Sequence, residues 1–354
     1  MKKKDKKKFK RRNIRFKNID IDELDYFEEE DIQEEKRAEK KIPDKAKSSQ
    51  KSDLKLYKGR ILEITTNYKC CVKMGKKVLE CFLSGRLKQI NYETKNLVAP
   101  GDWVNVDLSE YPRIEEILPR KNSLSRFTES GYQQEIVIAS NVDQVIITTS
   151  WRNPELKPGL IDRYICAAYL QNIEPIVCVN KIDLCTKLAE LDKIMNFYKK
   201  LKIRVVYTSA IQKRGIEELK RILQGKDSVF SGHSGAGKSS LLNCLQPDLQ
   251  LKVANTSNST GKGIHTTTKS RLIPWDFGGY LIDTPGIKTF NLKKEDKDKL
   301  PRIFPGFPKL YSNCKFPDCT HTHETDCAVK KAVEKKQFPL ARYESYLRII
   351  QSLL

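Results

Sequence analysis

Residues 230–242 read FSGHSGAGKSSLL, and Gly232 to Ser239 fit the spacing G-x-x-x-x-G-K-S. Glycines so placed let the backbone curl until several N–H groups point at one anion, and a following helix adds its positive end. Gly232, His233, Ser234, Gly235, Ala236, Gly237, Lys238, Ser239 and Ser240 are therefore candidates to cradle nucleotide phosphates. Lys238 should reach the β- and γ-phosphates, and the Ser239 hydroxyl should bind Mg²⁺. Downstream, Asp283-Thr284-Pro285-Gly286 ends an apolar run. Asp283 is placed to hold Mg²⁺ through water, and the Gly286 N–H to sense a γ-phosphate. The polar run NSTGKGIHTTTKSRL lies between them and is expected to move. Thr266 and Thr267 are both candidates to complete Mg²⁺ coordination, and the sequence does not choose.

Asn180-Lys181-Ile182-Asp183 follows the apolar run PIVCV. A carboxylate there can accept hydrogen bonds from the ring N1–H and 2-amino group of guanine. Adenine offers neither, so Asp183 selects GTP over ATP. The stem of Lys181 can lie along the base, and Asn180 can tie this loop to its neighbours. Thr208-Ser209-Ala210 ends the next strand, where the Ala210 N–H can meet guanine O6. The base reader thus precedes the phosphate loop, the reverse of the order usual in GTP-binding proteins. A sheet needs its strands in the right places, not in a given chain order. Joining close termini and cutting elsewhere keeps the site, so the domain reads as circularly permuted. The chain leaving Gly286 then enters the C-terminal region directly, where loss of the γ-phosphate can pull on it. Ile287 stands where many GTPases place a water-orienting glutamine, which predicts slow unaided hydrolysis. His265 is the candidate catalytic substitute; a solvated or partner-contacting loop histidine and a partner-supplied group are the alternatives.

NCKFPDCTHTHETDC gathers Cys314, Cys319, His321 and Cys327. Three thiolates and an imidazole make a closed tetrahedral set, which predicts one structural zinc ion. His323 competes with His321 as the fourth ligand.

These groups need elements to position them. The chain has 354 residues, of which 39% are hydrophobic, with a formal charge of +21. That excess favours a polyanionic partner such as nucleic acid. Residues 1–54 are charged and poor in apolar residues, and read as a disordered extension with a transient helix near 28–41. Such an arm can touch RNA or merely solvate. Residues 55–120 alternate in short runs: YKGRILEITTNYKCCVKMGKKVLECFLSGRLK, then APGDWVNVDL and RIEEILPRKNSLSRF. Five short strands predict a small barrel of OB type, with an SH3-like barrel as the alternative. Residues 121–289 alternate strand and helix, which predicts a parallel α/β sheet covered on both faces. Residues 290–354 read as a mostly helical zinc-binding domain ending in ARYESYLRIIQSLL. Cys70, Cys71, Cys81, Cys166, Cys178, Cys185 and Cys244 lie in apolar runs and read as reduced core residues. The N-terminus has no signal-peptide pattern and no run approaches a membrane span, so a cytoplasmic protein with no membrane contact is expected.

Taken together, the barrel, NKID, TSA, GHSGAGKSS, GIHTTT, DTPG and C-x4-C-x-H-x5-C resemble the RsgA (YjeQ) family of circularly permuted bacterial GTPases. The resemblance covers roughly residues 55–354. It implies a GTPase that binds the small ribosomal subunit and its rRNA, assists late maturation, and hydrolyses GTP to GDP and phosphate under stimulation by the subunit. It also implies zinc on Cys314, Cys319, His321 and Cys327, and a role for His265. The barrel, the zinc domain and Arg342, Tyr343, Tyr346 and Arg348 of the last helix are expected to meet rRNA. A monomer is the default. Two other readings stay open: an RNA-binding checkpoint that holds GTP with little turnover, and a nucleic-acid-dependent ATPase.

Overall fold

The computed structural model describes residues 55–66, 69–88, 94, 96–127, 135–251, 270–283 and 292–353. The charged arm and its expected helix lie outside the described residues, as do His265, Thr266, Thr267, Gly286 and Ile287.

Five strands close into a barrel: β1 (Leu56–Thr66), β2 (Lys69–Met74), β3 (Lys77–Leu83), β4 (Trp103–Asp107) and β5 (Arg113–Ile117). A short helix, α1 (Gly85–Lys88), follows β3. The strand order is β1-β2-β3-β5-β4, and β4 returns to pair with β1. All these pairs are antiparallel except β3 with β5. That parallel closure is the Greek-key form of an OB-type barrel and not the SH3-like alternative. Alternation puts Ile61, Cys70, Val72, Cys81, Val104, Val106 and Ile114 inside, all fully buried. The expected fifth strand is only RIEEI. The SLSRF run forms β6 (Ser123–Phe127), which pairs with β7 (Glu135–Ser140) in a separate two-stranded sheet. Asn122 anchors this hairpin by bonding both backbone groups of Val142 at 2.8 Å.

The second sheet alternates with helices along the chain: β8 (Gln144–Ser150), α2 (Pro158–Leu170), β9 (Glu174–Asn180), α3 (Leu188–Lys200) and β10 (Arg204–Tyr207). It continues through α4 (Ile216–Leu223), β11 (Asp227–Gly232), α5 (Lys238–Leu245), β12 (Arg271–Pro274) and β13 (Tyr280–Asp283). The spatial order is β10-β9-β8-β11-β13-β12, parallel except for β12 at one side. Alternate residues of β8 and β9 feed two cores. Ile147 and Val177 pack with Ile165 and Tyr198 on one face; Ile146 and Ile176 pack with Leu219 and Leu241 on the other. Burial on both faces explains why these strands read as unbroken apolar runs. β12 starts in the last two residues of the run read as a polar loop, because four residues ending in proline carry too little periodicity to declare a strand.

The barrel and the nucleotide-side sheet meet at β1 and β12, where Glu63 is opposite Arg271. Arg60 of β1 reinforces the joint. Its guanidinium pairs with buried Asp227 at the start of β11 and lies between the rings of Trp103 and Tyr280.

The C-terminal helices are α6 (Leu300–Ile303), α7 (Pro308–Tyr311), α8 (Ala328–Glu334) and α9 (Leu340–Gln351). Phe304, Phe307, Phe338 and Tyr346 join the same core as α2 and α3. Contrary to expectation, α9 does not offer Arg342 and Tyr346 to rRNA. Tyr346 is fully buried, and Arg342 is buried on Asp162 of α2 at 2.7 Å and on the Tyr198 hydroxyl at 2.6 Å. Of the named residues, Arg348 is exposed and pairs with Glu344, while Tyr343 donates to the His321 carbonyl at 2.8 Å. None of the ten cysteines is in a disulfide. No helix among the described residues is long and apolar enough to cross a membrane.

Candidate nucleotide site and metal centre

The candidate nucleotide residues gather at one edge of the parallel sheet, beyond the carboxyl ends of its strands. This is where open α/β sheets place their ligands. Ser150 is level with Asn180, and Thr148 with Gly232.

The phosphate loop turns on glycine. Gly232 has φ of 142°, and a Cβ there would lie 2.0 Å from the Thr148 carbonyl oxygen. Gly237 has φ of 88°, and a Cβ would lie 2.4 Å from Asn180 Nδ2. Helix α5 begins at the next residue, Lys238. Lys238 Nζ donates to the Gly232 carbonyl at 2.8 Å and the His233 carbonyl at 3.1 Å. Burial lowers its pKa from the ordinary lysine value. Ser239 and Ser240 occupy the first turn of α5, half-buried.

The candidate base-reading loop is tied to the candidate phosphate loop. Asn180 is 1% exposed and donates Nδ2 to the Ala236 carbonyl at 3.0 Å. Its Oδ1 accepts from the Thr208 hydroxyl at 3.2 Å and the Ala210 N–H at 3.3 Å. One side chain therefore joins all three loops. Lys181 takes a left-handed backbone, φ 58°. Its Nζ donates to the Asn153 carbonyl in the loop after β8, and burial lowers its pKa. Asp183 accepts a hydrogen bond from the Ser209 hydroxyl, which itself accepts from the Gln212 N–H at 3.1 Å. Ser209 thus positions the carboxylate.

Asp283 ends β13, and its Oδ2 meets Arg271 Nε at 3.4 Å. Burial raises the pKa of Asp283, and Arg271 opposes that shift. The sequence reading missed two of these groups, Arg271 and the Asn153 carbonyl. No motif marks either; each is joined to its partner only through the fold.

Cys314, Cys319, His321 and Cys327 converge, with all ligand atoms within 4.8 Å of one another. His321 Nδ1 lies 3.6 Å from Cys314 Sγ, 3.4 Å from Cys319 Sγ and 3.3 Å from Cys327 Sγ. Metal bonds of about 2.3 Å to sulfur and about 2.0 Å to nitrogen at tetrahedral angles give S···N edges of about 3.5 Å. The set therefore fits a tetrahedral metal ion and is compatible with zinc. The other ring nitrogen, Nε2, can donate to the Pro301 carbonyl at 3.2 Å, leaving the Nδ1 lone pair for the metal. Glu324 braces the loop. Burial would raise its pKa, but bonds from the Thr320 hydroxyl, the Thr320 N–H and the Thr322 N–H hold it at about 2. His323 points elsewhere: it is exposed and bonded to the Thr322 hydroxyl, outside the convergent set.

The comparisons with known proteins point to one family. A family model described as RsgA GTPase matches residues 117–293. The small ribosomal subunit biogenesis GTPase RsgA of Flavobacterium psychrophilum is 38% identical over 281 residues, covering 77% of this chain and 86% of that protein. Its namesake in Caldanaerobacter subterraneus is 37% identical, covering 80% of this chain and 91% of that protein. Among solved structures, YjeQ from Thermotoga maritima superposes with a TM-score of 0.69 at 32% identity, over 84% of this chain and 98% of that one. YloQ, described as a circularly permuted GTPase, gives 0.65 at 26% identity, over 86% and 98%. With Asn180-Lys181-Ile182-Asp183 upstream of the Gly232–Ser239 loop and tied to it through Asn180, the chain belongs to the RsgA family of circularly permuted GTPases.

Proposed function

We propose that this GTPase acts on the small ribosomal subunit, binding its rRNA and assisting its late maturation, with GTP hydrolysis stimulated by the subunit. The observation that supports the site reading is the Asn180–Ala236 bond, which ties NKID to GHSGAGKSS. In this reading Asp183 accepts the guanine N1–H and 2-amino bonds, and the Ala210 N–H meets O6. The phosphates lie on the loop from Gly232 to Ser240, where Lys238 exchanges carbonyl partners for phosphate oxygens. Ser239 and Asp283, with Thr266 or Thr267, would hold Mg²⁺, which would supply charge to neutralise the phosphates. Gly286 senses the γ-phosphate and His265 assists attack by water.

One zinc ion on Cys314, Cys319, His321 and Cys327 organises the C-terminal helices. The partner reading rests on the relatives' names and on the charge of +21. We place the protein in the cytoplasm as a monomer. The domains divide at 1–54, 55–120, 121–289 and 290–354. The test is phosphate release from GTP and from ATP, with and without purified small subunits. GTP-specific stimulation is expected. Turnover that subunits leave unchanged, or equal use of ATP, would overturn the assignment.

A further inference from the structure

Asp283, Arg271 and Glu63 stand in one row across three strands. Arg271 of β12 is directly opposite Asp283 of β13 on one side and Glu63 of β1 on the other. Both pairings are antiparallel, so the three side chains share a face, with neighbouring Cβ atoms about 4.5–5.5 Å apart. An arginine between two carboxylates at that spacing reaches either. Here it bonds Asp283 by one nitrogen at 3.4 Å, with its side chain 44% exposed. Glu63 is half-buried, and its carboxylate has no hydrogen bond or ion pair among the described residues. The contact on Asp283 is single, long and wet, so it exchanges easily. The Arg60–Asp227 pair nearby is closed and nearly dry by contrast.

We propose that Arg271 is an internal competitor of Mg²⁺ at Asp283, and that Glu63 receives its guanidinium when Asp283 takes up the hydrated cation. The inference rests on Asp283 being a Mg²⁺-binding carboxylate. It adds two functions to that site. Return of Arg271 to Asp283 lowers the retention of Mg²⁺ and so favours release of the nucleotide. The charge handed to Glu63 also reports occupancy of the nucleotide site to the first barrel strand, which is continuous with β12.

The test loads the full chain with a fluorescent N-methylanthraniloyl GDP and follows its dissociation across a Mg²⁺ series. Arg271→Gln removes the competitor and should lower the Mg²⁺ midpoint for retention about two- to fivefold, the range of a cross-strand charge pair. Glu63→Gln removes the receiving carboxylate and should raise the midpoint by a similar factor. The double variant should match Arg271→Gln alone, because Glu63 acts only through the arginine. Shifts of the same sign, an additive double variant or unshifted midpoints would overturn the proposal while leaving Asp283 intact. A wild-type release rate indifferent to Mg²⁺ would overturn both. Damage to the fold does not produce opposite signs from neighbouring substitutions, so the pair separates the switch from a structural role.

Discussion

Replacing Arg342 with alanine should unfold the protein more easily, not merely weaken its grip on RNA. Arg342 leaves 10% of its side chain exposed, and its partner Asp162 none. The guanidinium donates to the Asp162 carboxylate and to the Tyr198 hydroxyl, and Tyr198 donates in turn to Asp162 at 2.8 Å. Removing one partner strands the other charge in a dry site, which costs about 3–5 kcal/mol. With an unfolding entropy of about 2.1 cal/mol/K per residue over roughly 300 residues, that is a melting temperature lower by about 5–8 °C. The effect has a pH signature. Burial raises the pKa of Asp162 and Arg342 restrains that rise, so the variant carboxyl should climb further. A carboxyl raised in the folded state favours folding at low pH, and that contribution is lost as pH rises through the folded value. The deficit of Arg342→Ala should therefore be small near about pH 4, the ordinary aspartate range, and larger at about pH 8. Asp162→Leu combined with Arg342→Met should recover most of the loss, since a packed apolar pair strands no charge. Thermal unfolding by circular dichroism at the two pH values gives the answer. A single-variant melting temperature within about 1 °C of wild type at pH 8 would refute the reasoning. So would a deficit that grows as pH falls.

Gly237→Ala forces a left-handed alanine against Asn180 Nδ2; calorimetric titration should show GDP affinity down about tenfold, and unchanged affinity would show the asparagine suture is dispensable. Asp183→Asn replaces one acceptor with a donor facing guanine. Competition binding should show GTP affinity falling about a hundredfold while xanthosine triphosphate gains, and undiminished GTP binding would remove Asp183 from the base site. Stripping metal with a chelator should release one zinc per chain by elemental analysis and deprotect the amides of α8 and α9 in hydrogen exchange. Protection that survives full metal loss would mean the thiol cluster is not what organises those helices.

Much of this site was legible because its parts act locally. A left-handed glycine, a helix starting at Lys238 and a carboxylate after a buried strand are each encoded within a few residues. The cysteines and His321 span fourteen residues and declare themselves by ligand chemistry. What stayed hidden is held by partners far apart in the chain. Arg60 meets Asp227 across 167 positions, and Arg342 meets Asp162 across 180. The misreading of α9 is instructive. Arg342 and Tyr346 are four residues apart, so they share one helical face with Ile349 and Ile350, and that face is buried. Counting basic and aromatic residues suggested an RNA surface; their spacing favoured the core. The barrel's strand count was readable, but its closure was not, because the parallel β3–β5 contact joins segments separated by the whole of β4.

Strand β12 is the outermost ribbon of the nucleotide sheet, and β1 lies along its open side. An uncovered ribbon presents unpaired amides and carbonyls that invite another chain to add to it. The barrel therefore also guards its neighbour against self-association. Cutting the chain after the barrel to isolate the GTPase half would uncover that ribbon and favour clumping, even with every candidate nucleotide residue left in place.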